Sequence, residues 1–178
     1  MGKQADILTF DKSTKEAVLR EFAPPGLVEL DASQSAIPKL AKDENVVRDI
    51  EAVLPTLPTM HQMRQADARA LDFLPDKSIH LILTSPPYWT LKQYNAHHDQ
   101  LGGVGDYETF LTEIDRVWSH CYRVLVPGGR LVCVVGDVCL SRRKNKGRHT
   151  VVPLHASIQE HCRAMGFDNL APIIWYKI

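Results

Sequence analysis

The residue types that can do chemistry gather in one stretch, Leu81–Trp89, which reads LILTSPPYW. A serine hydroxyl at Ser85, backbone carbonyls stiffened by Pro86 and Pro87, and two flat rings at Tyr88 and Trp89 follow one another directly. The apolar run His80–Thr84 ahead of them predicts a buried strand. Two prolines cannot continue a ladder, because they lack an N–H donor and fix φ. The chain therefore leaves the sheet at Ser85. Ligands of open α/β sheets bind just outside the carboxyl ends of strands, and a flat ring there suits stacking on a flat substrate.

The flanking pattern supplies the frame for this stretch. His61–Ala66 reads as a short strand, with Asp67 as the N-cap of a short helix over Ala68–Phe73. Pro75–Ser78 turns the chain into the strand Ile79–Thr84, so two parallel strands joined through a short helical crossover are expected. Thr90–Gly105 has no periodicity and reads as a loop. Asp106 caps a helix whose apolar stripe is Tyr107, Phe110, Leu111, Ile114, Val117, Trp118, Cys121 and Leu125. Pro127-Gly128-Gly129 ends that helix. The strand Arg130–Gly136 follows, and its apolar run Leu131–Val135 predicts a sheet covered on both faces. Asp137 then stands at this strand's carboxyl end, parallel to the position of Ser85. After a basic run come a helix from Pro153 to Met165, capped by Gly166, and a last strand over Leu170–Tyr176. Upstream, apolar residues from Ile37 to Leu54 recur at helical spacing and are closed by Pro55 and Pro58. Lys15–Phe22 can form one or two turns, ended by Pro24-Pro25-Gly26. The expected fold class is α/β, with residues 1–58 as an N-terminal helical extension.

Composition narrows the setting. The 178 residues suffice for one domain with a sizeable core, and 44% hydrophobic with 24% charged residues is ordinary globular content. Lys+Arg and Asp+Glu both number 21, so a nucleic-acid partner must be drawn by a local basic patch. That patch is Arg142, Arg143, Lys144, Lys146 and Arg148, just before His149. It reads either as a set of phosphate contacts or as a solvated loop. The four cysteines, Cys121, Cys133, Cys139 and Cys162, form no CxxC pair and read as reduced apolar fillers. No long apolar segment opens the chain, so neither a signal peptide nor a membrane span is expected, and the localisation read from this is cytoplasmic. His97-His98-Asp99 invites a metal reading, but adjacent residues rarely share one ion, and no metal is expected.

Ser85-Pro86-Pro87-Tyr88, flanked by Thr84 and Trp89, resembles the Ser-Pro-Pro-Tyr catalytic motif of amino-methylating DNA methyltransferases. These enzymes methylate cytosine N4 or adenine N6, and the serine form is more typical of the N4-cytosine enzymes. Residues 61–89 are similar to the family segment in which an Asp after a strand contacts the cofactor, and Asp67 takes that place with Ala68 beside it. Arg123–Leu131 and Gly147-Arg148-His149 are similar to later family segments. The resemblance covers roughly residues 60–178. It implies a partial Rossmann-like methyltransferase sheet over residues 59–178, S-adenosyl-L-methionine as methyl donor, double-stranded DNA as partner, and a role in restriction–modification or DNA marking. The implied cofactor-binding residues are Asp67, Ala68, Thr84, Ser85 and Pro86.

The implied chemistry is specific. An exocyclic base amine is a poor nucleophile, since its lone pair is delocalised into the ring. Two acceptors aimed at its N–H bonds, Ser85 Oγ and the Pro86 carbonyl, turn that pair toward the methyl carbon, and Pro87 keeps the backbone from reorganising. Tyr88 stacks on a base flipped out of the duplex, which offsets part of the flipping cost. Trp89 is either a second stacking wall or a core anchor. Asp137 is either a pocket wall or a helix or loop cap. No Pro-Cys pair exists, which argues against C5-cytosine chemistry.

One family feature is missing. No Phe-x-Gly-x-Gly-type loop, which holds the methionine end of the cofactor, follows the motif. The chain is thus expected to act as the catalytic-motif half of a methyltransferase, weakly active or inactive alone. It should associate with a complementary half, or with itself, through an open sheet edge. The competing reading of another class is a non-catalytic nucleic-acid- or partner-binding fragment.

Overall fold

In the computed structural model, two parallel strands joined by one long helix form the centre of the fold. The structure describes residues 36–57, 61–94, 97–143 and 145–176, together with Ala17 and Glu21. The chain divides into two compact units, Met1–Met63 and Arg64–Ile178. In the first, α1 (Ala36–Leu40) and α2 (Glu44–Val53) occupy the stretch with helical spacing. Asp43 caps α2 by accepting from Asn45 N and Val46 N. Most of Lys15–Phe22, with Pro24-Pro25-Gly26 and Pro58, lies outside the described residues; Ala17 and Glu21 are helical.

In the second unit, β1 (Ile79–Thr84) leads through two short 3₁₀ turns, Trp89–Leu91 and Leu101–Gly103, into α3 (Tyr107–Val124). Asp106 Oδ1 accepts from Thr109 N at 2.8 Å and caps α3. The stripe Phe110, Leu111, Ile114, Trp118, Cys121 and Val124 is buried. α3 returns the chain to β2 (Leu125–Cys133), which pairs with β1 in parallel: Leu81 with Arg130, Ile82 with Leu131, Thr84 with Cys133. The strand thus begins five residues earlier than expected. Leu125 already lies beside Ile79, and Val126–Gly129 bulge out between Leu125 and Arg130. Gly128 has φ +79° there, a conformation that favours glycine.

α3 also packs on α4 (Leu154–Met165), which buries Leu154, Ile158 and Cys162 in the same cluster. His161 Nδ1 lies 2.7 Å from Asp115 Oδ2, and Tyr107 Oη donates to Ser157 Oγ at 2.9 Å across the two helices. Gly166 ends α4 at φ +109°. A hairpin not foreseen from the sequence, β3 (Val138–Leu140) with β4 (Thr150–Val152), precedes α4. No described helix is long and apolar enough to cross a membrane.

Four expectations are corrected. The strand over His61–Ala66 and the helix over Ala68–Phe73 do not form. Arg123 Nη2 donates to Leu71 O and Nη1 donates to Leu74 O, both at 2.9 Å, which ties this segment to α3. Residues 67–77 run instead as successive turns, with Ala70 N donating to Asp67 O and Leu74 N to Leu71 O. Next, one face of the β1–β2 pair is open. Ile82, Leu131, Cys133 and Val135 pack on the helices, while Leu81, Leu83, Val132 and Val134 are exposed. Last, Leu170–Tyr176 joins no ladder, and Ile173 and Trp175 are 96% and 80% exposed. A strand's backbone groups need a neighbour to pair with, and none of the described strands lies alongside.

Candidate active site at the carboxyl end of the parallel strands

β1 ends where the prolines dictate. Thr84 O accepts the last ladder bond, from Val134 N at 2.8 Å. Ser85 then leaves the sheet with an exposed side chain, and Pro86, Pro87 and Tyr88 follow half-buried. Tyr88 folds back over the neighbouring strand: its hydroxyl donates to Val134 O at 3.3 Å and lies 3.4 Å from Ser85 Oγ. Its ring rests by Gly136, where an added Cβ would lie 3.5 Å from Cε2. The hydroxyl of the serine and that of the tyrosine therefore share one corner at the ends of both strands. Among the described residues no hydrogen bond engages the Pro86 carbonyl, and Ser85 Oγ has no partner besides Tyr88. Two oxygen acceptors stand at the strand end with lone pairs to spare.

Trp89 goes the other way. Its ring packs edge-on against Tyr107, with centroids 5.0 Å apart, and joins the core of α3 and α4. Its backbone has φ +44°, and its indole Nε1 is buried with no hydrogen-bond partner. A bulky residue rarely adopts that φ. Of the two roles open to Trp89, the geometry gives it that of core anchor.

Asp67 and Ala68 lie exposed in the turns before β1, and among the described residues no hydrogen bond links them to Ser85–Tyr88. Asp67 takes the Arg69 guanidinium on both oxygens and the Arg69 N–H on one. Arg69 continues to Glu113 on α3 at 2.5 Å. Hydrogen bonding to Arg69 holds the Asp67 carboxyl down at about 2. Asp67 is therefore ionised at neutral pH. Arg69 gave no signal in the sequence, because its partner Glu113 is 44 residues away.

Asp137 follows Gly136 past the end of β2. Its Oδ1 lies 2.6 Å from His155 Nδ1 and accepts from His155 N at 3.3 Å. His155, at the start of α4, was not singled out by sequence reading; the two residues sit on either side of the hairpin. The basic run forms the tip of that hairpin. Arg142, Arg143, Lys146, Arg148 and His149 are exposed, and none has an ion-pair partner among the described residues; Lys144 lies outside them. Asn145 Nδ2 donates to Thr150 Oγ1 at 2.7 Å, and Gly147 N donates to Arg142 O at 2.9 Å, which shapes the tip.

The remaining candidates are quieter. His97, His98 and Asp99 are exposed and bring ligand atoms within 4.8 Å of one another, but Asp99 N already donates to His97 Nδ1. Burial pushes the Cys121 and Cys133 thiols up to about 11 and the Cys162 thiol up to about 12. All three are thiols at neutral pH and not nucleophiles. Cys139 is exposed.

Comparison with known proteins gives a consistent picture. A family model described as DNA methylase (N6/N4 type) matches residues 79–178. The type II methyltransferase M.MjaI of Methanocaldococcus jannaschii is 30% identical over 141 residues, covering 67% of this chain and 46% of that protein. M.SfiI of Streptomyces fimbriatus is 32% identical over 116 residues, covering 58% of this chain and 27% of that protein. TTHA0409 from Thermus thermophilus, described as a DNA modification methylase and solved in complex with S-adenosyl-L-methionine, matches with a TM-score of 0.52. It is 58% identical over 62% of this chain and 42% of its own. The chain thus spans less than half the length of these relatives.

Proposed function

The chain belongs to the N6/N4 DNA methylase family, and from that premise we propose that it carries the amine clamp of an S-adenosyl-L-methionine-dependent DNA methyltransferase acting on cytosine N4. The observation that carries this reading is the pair of acceptors at the end of β1: the exposed Ser85 Oγ and the unengaged Pro86 carbonyl. They accept the two N–H bonds of an exocyclic amine and hold its nitrogen more tetrahedral, so that the lone pair is localised and out of conjugation with the ring. The rigid prolines mean that little reorganisation accompanies reaction. S-adenosyl-L-methionine supplies an electrophilic methyl group on a sulfonium. Thr84, Ser85 and Pro86 border its place at the strand end, and Asp67, shared with Arg69, with Ala68 beside it, serves the same end.

Tyr88, tethered through its hydroxyl to Val134 O, stacks on the flipped base, a contact of roughly 1–3 kcal/mol. Asp137 borders the same corner. The hairpin-tip cations Arg142, Arg143, Lys146 and Arg148, with Lys144, contact the phosphates of double-stranded DNA. Residues 59–178 act as the catalytic part and residues 1–58 as its extension, in the cytoplasm. The open apolar face formed by Leu81, Leu83, Val132 and Val134 supports association with a complementary methyltransferase part.

The deciding experiment incubates plasmid DNA and S-adenosyl-L-methionine with the chain, alone and mixed with the part of TTHA0409 outside the matched region. The DNA is then digested to nucleosides for mass spectrometry. N4-methylcytosine is expected in the mixture. N6-methyladenine in its place moves the target to adenine, and the absence of both removes the methyl-transfer reading.

A further inference from the structure

The β3–β4 hairpin pairs only three residues on each side, and a ladder that short is marginal on its own. Its base is held by Val138, which is 2% exposed, while the tip that bears the cations is exposed. A cation set on a loosely held arm meets phosphates one at a time; on a fixed arm it meets them together. What fixes this arm is visible at its base. Asp137 immediately precedes β3, and His155 lies in the first turn of α4, shortly after β4.

One carboxylate oxygen of Asp137 engages both the His155 ring and the His155 backbone N–H, at 2.6 and 3.3 Å. A carboxylate can only accept, so the His155 proton sits on Nδ1, and the short distance marks a charge-assisted bond. The backbone contact places the carboxylate at the first turn of α4, where N–H groups lack helical partners. On its other side, Asp137 adjoins Gly136, against which the Tyr88 ring rests. One residue therefore separates the base of the basic arm from the corner that holds Ser85 and Tyr88.

We propose that His155 is a positioning residue: by clasping Asp137 it closes the base of the hairpin and sets the basic tip in fixed register with the Ser85–Tyr88 clamp. The inference rests on the reading of the hairpin as the DNA-contacting arm. It requires that loss of the clasp reduce the number of phosphates met at once, although no cation is removed.

The slope of log affinity against log salt counts those phosphates, at about −0.9 for each contact with duplex DNA. The 178-residue chain is titrated with a fluorescent random-sequence duplex at several salt concentrations. The titration is run at about pH 8. A wild-type slope of roughly −3 to −4 is expected from the tip cations. In His155→Ala the slope becomes shallower by about 1–2; in His155→Gln, whose amide can still donate to Asp137, it returns toward wild type. Asp137→Ala, which loses both bonds, follows His155→Ala and serves as the second variant should the first fail to fold by circular dichroism. A purely structural role lowers the melting temperature and leaves the slope alone. A wild-type slope near zero removes the reading of the hairpin as the DNA arm. A steep wild-type slope unchanged in His155→Ala and Asp137→Ala, or lost equally in His155→Gln, overturns the clasp.

Discussion

Replacing Trp89 separates its two possible jobs. As a core anchor, its ring packs on Tyr107 and the α3–α4 cluster. A tryptophan buries about 150–250 Å² when fully packed, and at ~25 cal/mol per Å² that is about 4–6 kcal/mol. Trp89 is half-buried, so Trp89→Ala should cost about 2–3 kcal/mol. The alanine inherits the φ of +44°, so no backbone strain is relieved. Trp89→Phe should cost under ~1 kcal/mol: it keeps an aromatic edge for Tyr107 and removes the buried Nε1 that has no partner, itself a liability of about 1–3 kcal/mol. Urea unfolding followed by far-ultraviolet circular dichroism reads the difference. With a slope of about 2 kcal/mol/M, Trp89→Ala moves the midpoint down by about 1 M. If Trp89→Ala leaves the midpoint in place but weakens DNA binding by the roughly 5–150-fold that one lost stack is worth, Trp89 is a stacking wall and the anchor assignment is wrong.

Three further outcomes follow from the same structure. Ser85→Ala should lower methyl transfer by roughly 100-fold, the usual loss for one preorganised polar contact to a reacting group, with DNA affinity unchanged; an unaltered rate in the complemented assay removes Ser85 from the clamp. Arg69→Met should release the turns over residues 67–77 from Glu113 and remove an acid dependence. Hydrogen bonding to Arg69 lowers Asp67 to about 2, and Glu113 is lowered by the same partner. Their contribution is whole above the ordinary carboxylate range at about pH 4 and fades as pH falls toward about 2. The urea midpoint of the wild type should drop over that window more steeply than that of Arg69→Met. Finally, a thiol reagent at about pH 8 should modify Cys139 in the native protein and all four cysteines after denaturation, as peptide mass spectrometry can show. Fast native labelling of Cys121 or Cys162, both buried, would contradict the packing of α3 on α4.

Much of the site's backbone was legible because its signals are local. Pro86 and Pro87 can only end a strand, so the exit of the chain at Ser85 needed no tertiary information. The stripe from Tyr107 to Leu125 encodes α3 by period, and Asp106 and Gly166 mark helix ends by side-chain and φ chemistry. The failures share one cause. His61–Ala66 and Leu170–Tyr176 have strand-like composition, but a strand exists only where another backbone completes its ladder. The segment expected as a short helix after Asp67 is instead a set of turns whose Leu71 O and Leu74 O accept from Arg123, 52 and 49 residues away. The β3–β4 hairpin hid behind a run of charges that resembles any solvated loop.

The sequence alone determined the local chemistry: a hydroxyl and a stiffened carbonyl delivered by a strand, with an aromatic ring beside them. Tertiary structure decided what each ring and charge does there. It sent Trp89 into the core and Tyr88 across to Val134, bound Asp67 to Arg69, and joined Asp137 to His155 across a hairpin. Most of those choices depend on contacts between residues far apart in the chain, through burial of the Trp89 ring and through hydrogen bonds to distant partners. No window of neighbouring residues contains them. The Ser85–Tyr88 motif therefore names a reaction, while the packing around it determines which side chains are free to take part.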